Sequence, residues 1–170
     1  MSTGSTLPHE LGHAYLLHKA NFNNEPNIFI EAYSIFIEFI FGDYLKNTRY
    51  SGVAYSSEYQ RLDSFLGMID YEFANLSRLK DMYFTFPFYY YSDGSLARID
   101  SAKMILSDML GMYFVSLYRF DKKKYNIMMS AFLDMYGKVT DEEILKYFKL
   151  SNLVDGSIDT LDTYVKTYRR

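Results

Sequence analysis

The stretch from Ile28 to Phe41 constrains this chain more than any other. It is apolar almost all round, running from Ile28, Phe29 and Ile30 through Ile35, Phe36 and Ile37 to Phe39, Ile40 and Phe41, and only Glu31, Ser34 and Glu38 interrupt it. It is too short to span a bilayer, and carboxylates within it are not tolerated by a lipid-facing helix, so a buried helix is expected. The three polar residues fall at i, i+3 and i+7, along one stripe of that helix. Burying an uncompensated charge costs several kcal/mol, so Glu31 and Glu38 must be paired or bound to a metal. The alternative is that the stripe is the solvated face of the helix.

A partner for those carboxylates stands near the start of the chain. His9, Glu10, Leu11, Gly12 and His13 form a His-Glu-x-x-His pattern, and two of the chain's three histidines fall within it. On a helix, four residues make slightly more than one turn, so both imidazoles project from one face and can share an ion, with Glu10 beside them as general base. A catalytic zinc takes three protein ligands and keeps a fourth position open, which calls for an acidic group on a second element. Glu31 is the candidate third ligand. Ser34 and Glu38, one and two turns further along, are placed to orient an imidazole by a hydrogen bond. The expected ligand set is therefore His9, His13 and Glu31 around one Zn2+ per chain.

Composition narrows the class. At 170 residues the chain suits a single domain, and its formal net charge of −3 comes without a basic stripe, which argues against nucleic acid. The absence of cysteine removes disulfides and thiolate sites and fits a reducing compartment, and Met1 to Pro8 lacks the pattern of a signal peptide, so a cytoplasmic location is expected. No membrane association is expected. His18 is expected on the surface at a helix end, and Met104, Met109 and Met112 read as adaptable core.

The element pattern is all-α, with six to seven helices in a single domain over residues 1–170. After a flexible start at residues 1–8, helix one is expected over His9 to Ala20, entered at Thr6 and Pro8, and helix two over Asn27 to Lys46. A Gly-, Ser- and Tyr-rich turn over Ser51 to Ser57 should precede helix three, Glu58 to Lys80. The aromatic segment Tyr83 to Tyr91 is open to two readings, a short strand or irregular wall on one side and a helical turn on the other. Helix four is expected over Ser95 to Arg119 and helix five over Lys123 to Tyr136 with Gly137 as its cap. Thr140 and Glu143 form a capping box before helix six, Asp141 to Phe148. After a polar turn through Gly156, a last helix is expected from Thr160, ending in Arg169 and Arg170.

At these residues the chain resembles the M3 family of zinc metallopeptidases, the oligoendopeptidase F and thimet oligopeptidase group. His9 through Tyr15 is similar to that family's first ligand helix, and Glu31-Ala-Tyr-Ser34-Ile-Phe-Ile-Glu38 is similar to its second. The resemblance implies a zincin-like helical fold, Glu31 as the zinc-binding glutamate and a short peptide as substrate. Phe86 to Tyr91 followed by Gly94 resembles the family's tyrosine-rich cleft segment, where Tyr89 and Tyr91 are the best matches for the tyrosine that steadies the oxyanion. The chain departs from the family in length, in its shorter spacing from His13 to Glu31, and in having Met82 or Tyr83 where a histidine is usual. The expected function is thus a zinc-dependent peptidase, and the alternative is a catalytically impaired metal-binding remnant or subunit. The family half that is missing here leads to the further expectation of a homodimer or of a partner chain.

Overall fold

The computed structural model describes residues 3–19, 28–78, 88–90, 96–98 and 101–168. Seven helices account for nearly all of them: α1 (Thr3–Lys19), α2 (Ile28–Lys46), α3 (Ser51–Arg78), α4 (Ser101–Phe120), α5 (Lys122–Met135), α6 (Asp141–Phe148) and α7 (Leu150–Tyr168). One two-stranded antiparallel hairpin joins β1 (Phe88–Tyr90) to β2 (Leu96–Arg98), with Tyr89 opposite Ala97. Among the described residues the architecture is all-helical apart from that strand pair. Among the described residues no helix is long and apolar enough to cross a membrane.

Helix α2 is the centre of the molecule, as its composition requires. Ile28, Phe29, Ile30, Ala32, Ser34, Ile35, Phe36 and Phe39 are all buried. It packs most extensively between α1 and α4, α4 in turn packs on α7, and α3 lies across α2. Glycines permit these approaches. A Cβ on Gly12 of α1 would stand 2.6 Å from Ser34 Cα, and one on Gly111 of α4 would stand 2.8 Å from Ile35 Cγ2 and 2.9 Å from the Ala32 carbonyl oxygen. Gly156 of α7 meets Tyr113 of α4 as closely, its Cβ position being 2.7 Å from Tyr113 Cα.

Where α2, α4, α5 and α6 meet, the core is a cluster of phenylalanine rings. Phe132 lies 5.8 Å from Phe29 and 5.2 Å from Phe114, and Phe114 lies 5.5 Å from Phe148 in an edge-to-face arrangement. These spacings suit the ring quadrupoles, and all four side chains are fully buried. Further out, Arg119 at the end of α4 forks onto Asp43 of α2, with Nε donating to Oδ2 at 2.8 Å and Nη2 to Oδ1 at 2.7 Å. Arg119 also donates to Glu58 of α3 at 3.0 Å, and Lys46 joins both acids, so two cations and two anions tie three helices together.

Several boundaries differ from the sequence expectation, each for a physical reason. Helix α1 already includes residues 3–8, the stretch expected to be flexible, because Pro8 is buried inside the helix and costs it only one backbone hydrogen bond near its start. The turn between α2 and α3 is Asn47–Tyr50, held by Thr48 Oγ1 donating to the Leu45 carbonyl, and the expected turn at residues 51–57 is helical. Burial of Ala54 and the anchoring of Glu58 override weak helix propensity there. Helix α4 begins at Ser101, since residues 96–98 are claimed by the hairpin. Helix α7 begins at Leu150, ahead of the expected start at Thr160. Its polar residues are satisfied by helix carbonyls, Ser157 Oγ donating to that of Leu153 and Thr160 Oγ1 to those of Gly156 in α7 and Met112 in α4, while Gly156 serves the contact with α4.

Other expectations match. Gly137 ends α5 with φ of 74°, and Thr140 and Glu143 form the reciprocal capping box, Thr140 N donating to Glu143 Oε2 at 2.8 Å and Glu143 N to Thr140 Oγ1 at 3.3 Å. His18 is exposed in the last turn of α1, and Met112 is core. The helix end at Arg169 and Arg170 and the family comparison at Met82 and Tyr83 lie outside the described residues.

The two kinds of glycine environment separate cleanly. Gly111→Ala should destabilise the protein by about 1–3 kcal/mol through overpacking against α2, whereas Gly42→Ala, with nothing within 4 Å of the new methyl, should stabilise it by about 0.5–1 kcal/mol through helix propensity. Urea unfolding followed by circular dichroism measures both.

Candidate metal centre

The close contact of Gly12 with Ser34 sets α1 against α2 at the level of the histidines, and the side chains to either side of that contact meet. His9 Nε2 and His13 Nε2 are 3.0 Å apart, with the ring centroids 4.7 Å apart and the rings nearly perpendicular. Glu31 addresses each ring with one oxygen, Oε2 lying 3.4 Å from His9 Nε2 and Oε1 lying 3.5 Å from His13 Nε2. On the other side of His9, Nδ1 lies 3.5 Å from Glu38 Oε2. Both imidazoles are mostly buried, while Glu31 is 43% exposed, so the cluster opens to solvent on the Glu31 side.

These distances suit a shared ion. Zinc bonds of about 2.0–2.1 Å in tetrahedral geometry place neighbouring ligand atoms roughly 3.3 Å apart, close to the separations found here. Two imidazole nitrogens and one carboxylate from two helices are also the donor types zinc prefers in an open site. The Glu10 carboxylate and the two imidazoles form a set whose ligand atoms lie within 4.8 Å of one another, and Glu10 is exposed. Glu31 is the better third ligand of the two acids, since its oxygens are divided between the rings. Glu10 is left at the solvent side of the cluster.

The electrostatics of the cluster show how strongly these groups are coupled. Contact with Glu31, and then with Glu38, pushes the His9 imidazole up to about 9 against the effect of burial. His13 goes the other way, its imidazole held below the usual range by burial. Glu31 is held below the usual carboxylate range by its contact with His9. Protonated His9 thus faces a carboxylate at each ring nitrogen, Glu31 at Nε2 and Glu38 at Nδ1.

The structure therefore brings together five of the residues singled out from the sequence: His9, Glu10, His13, Glu31 and Glu38. Ser34 stands apart. It is fully buried with its hydroxyl making no hydrogen bond, and it contributes smallness, lying against Gly12, rather than a bond to an imidazole. Tyr89 belongs to β1, and Tyr91 lies outside the described residues.

Two residues that sequence reasoning passed over lie behind the cluster. Asp108 of α4 is buried and forms an ion pair with Arg61 of α3, Arg61 Nη2 lying 3.1 Å from Asp108 Oδ1. Burial pushes the Asp108 carboxyl up to about 6, Arg61 pulls it down, and the charges of Glu31, Glu38 and His9 all reach it. A signal for Asp108 was present, because it interrupts the apolar helix α4 as Glu31 interrupts α2. Arg61 carried none, sitting among other charges of α3.

No protein-family model, curated protein or solved structure matches this chain.

The raised carboxyl of Asp108 has a signed consequence for stability. A folded-state value near 6 against 3.8 unfolded means that the group favours the fold at low pH and loses that contribution as pH rises from about 4 to 6. Relative to Asp108→Asn, the wild type should lose about 2–3 kcal/mol of stability over that interval, because a tenfold change in proton affinity is worth about 1.4 kcal/mol. Urea unfolding of both proteins at several pH values, in chelator, measures the difference, and parallel curves would contradict it.

Proposed function

We propose that this chain is a zinc-dependent peptidase that hydrolyses short peptides. The observation that supports this reading best is the meeting of His9 Nε2, His13 Nε2 and the two oxygens of Glu31 at 3.0–3.5 Å, from two different helices and open to solvent on one side. His9, His13 and Glu31 would hold the ion, and a zinc ion there supplies the Lewis acidity that makes water a nucleophile and polarises a peptide carbonyl. The protein's own groups do the rest. Glu10, exposed beside the imidazoles, takes the proton of the attacking water and passes it to the departing amine. Glu38 at His9 Nδ1 fixes the ring with Nε2 toward His13 and Glu31, where a metal ion would be held, and a carboxylate so placed would also raise ligand basicity. Burial of both rings excludes water from the closed side. The substrate class follows from the resemblance of residues 9–15 and 31–38 to oligoendopeptidases, and on the same ground a tyrosine, Tyr89 or Tyr91, would donate to the developing oxyanion.

A second reading is supported by the same geometry, since an ion held between α1 and α2 also fastens them together. In that case the centre is a staple without catalysis.

Elemental analysis of protein purified without chelator should find about one zinc per chain, lost in His13→Ala. Glu10→Gln should keep the metal and lower hydrolysis of a fluorogenic peptide by about 10²–10⁴-fold. Metal retention with no hydrolysis by the wild type leaves the staple, and no metal uptake by either protein removes both readings.

A further inference from the structure

Behind Glu38 the structure holds a cleft with room for about one water molecule, lined by Glu38, Phe39, Gly42, Ala54, Ser57, Glu58 and Arg61. Arg61 enters it with an unusual hydrogen-bonding balance. Its Nη2 is paired to the buried Asp108 at 3.1 Å, while its Nε is buried and makes no hydrogen bond to any protein group. Buried donors are nearly always satisfied by protein or by ordered water, and a guanidinium N–H is a strong donor. Glu38 lines the same cleft and is committed to His9 Nδ1 through Oε2, which leaves its other oxygen to accept. A water-sized space whose mostly apolar wall carries a carboxylate and an unpaired N–H offers a bound water two polar partners.

We propose that Arg61 is a positioning residue for the metal centre, acting on His9 through Glu38 by way of a water held in this cleft. The line of groups runs from Asp108 on α4 to Arg61 on α3, through the water to Glu38 on α2, and so to His9 on α1. Asp108 holds Nη2 of the planar guanidinium, and that contact keeps Arg61, with its buried Nε, at a fixed place on the cleft wall, which a lysine in the same place cannot reproduce. Arg61 also stands close enough for its charge to act on both His9 and Glu31. The effect on the centre is orientation: Glu38 held at one position keeps the His9 ring turned with Nε2 toward His13 and Glu31.

This inference rests on the metal reading, and a double-mutant cycle on cobalt affinity separates the two. Co2+ is titrated into metal-free wild type, Arg61→Lys, Glu38→Gln and the double variant, with helicity and thermal midpoint in chelator measured alongside. Glu38→Gln should weaken Co2+ binding by about 10–100-fold, the usual range for a group that orients a ligand. Arg61→Lys should weaken it by about tenfold despite keeping the charge, and the double variant should be no weaker than Glu38→Gln alone, because both changes cut the same line. Should Arg61→Lys fail to fold, Arg61→Gln combined with Asp108→Asn removes the pair without leaving a lone charge and is expected to show the same loss. Wild-type affinity in the folded Arg61 variant, or losses that multiply in the double variant, would overturn the inference while leaving the metal centre standing. No Co2+ uptake by the wild type would overturn both.

Discussion

Two carboxylates on a helix that is otherwise hydrocarbon are the constraint around which this molecule is arranged. Glu38, mostly buried, cannot stay charged without compensation, Glu31 stands half-exposed at the mouth of the same stripe, and the histidines of α1 serve both, His9 standing between the two acids at 3.4 and 3.5 Å. Those contacts require α1 to lie close to α2, which only a glycine at position 12 permits, with Ser34 filling the opposite side of the contact. Packing and chemistry are therefore one requirement here. A bulkier residue at either position would move the imidazoles away from the carboxylates that need them.

The same logic repeats outward from α2. Gly111 brings α4 against its other side, and Gly156 brings α7 against α4, so the helices are layered through points where side chains give way to backbone. The aromatic cluster of Phe29, Phe114, Phe132 and Phe148 fills the space between these points with large rings at favourable angles. Charge is handled at the rim in the same balanced way. Asp43, Glu58, Lys46 and Arg119 neutralise one another across three helices; burial opposes the Asp43 charge, yet Arg119 and Lys46 together hold its carboxyl below the usual range. Asp108 and Arg61 make a second such pair nearer the histidines, so that the candidate centre has side chains from four helices around it rather than two.

Some of this was legible in the sequence because it is local. The apolar run of α2, the i, i+4 spacing of His9 and His13, the capping box at Thr140 and Glu143, and the glycine at the end of α5 are all set by the few residues around them. The strand at residues 88–90 was one of two readings left open, while its partner strand at residues 96–98 and the helical course of residues 51–57 and 150–159 were not legible in this way. The local composition of the two helical stretches favours turns, and it is contacts with distant residues, Gly156 with Tyr113 and Glu58 with Arg119, that hold them in the observed form.

By itself the sequence determined which side chains are available for chemistry and on which face of which helix they lie, because helical periodicity acts over four residues. Only the tertiary structure decided which of them meet. Glu31 faces both imidazoles and Glu38 reaches the far side of His9, while Ser34 in the same stripe makes no hydrogen bond at all, and the difference is where α1 crosses α2. Arg61 finds Asp108, and Arg119 finds Asp43 across 76 positions, through the packing of whole helices. Complementary charges far apart in the chain carry no mark of their partner until burial makes leaving them unpaired too costly.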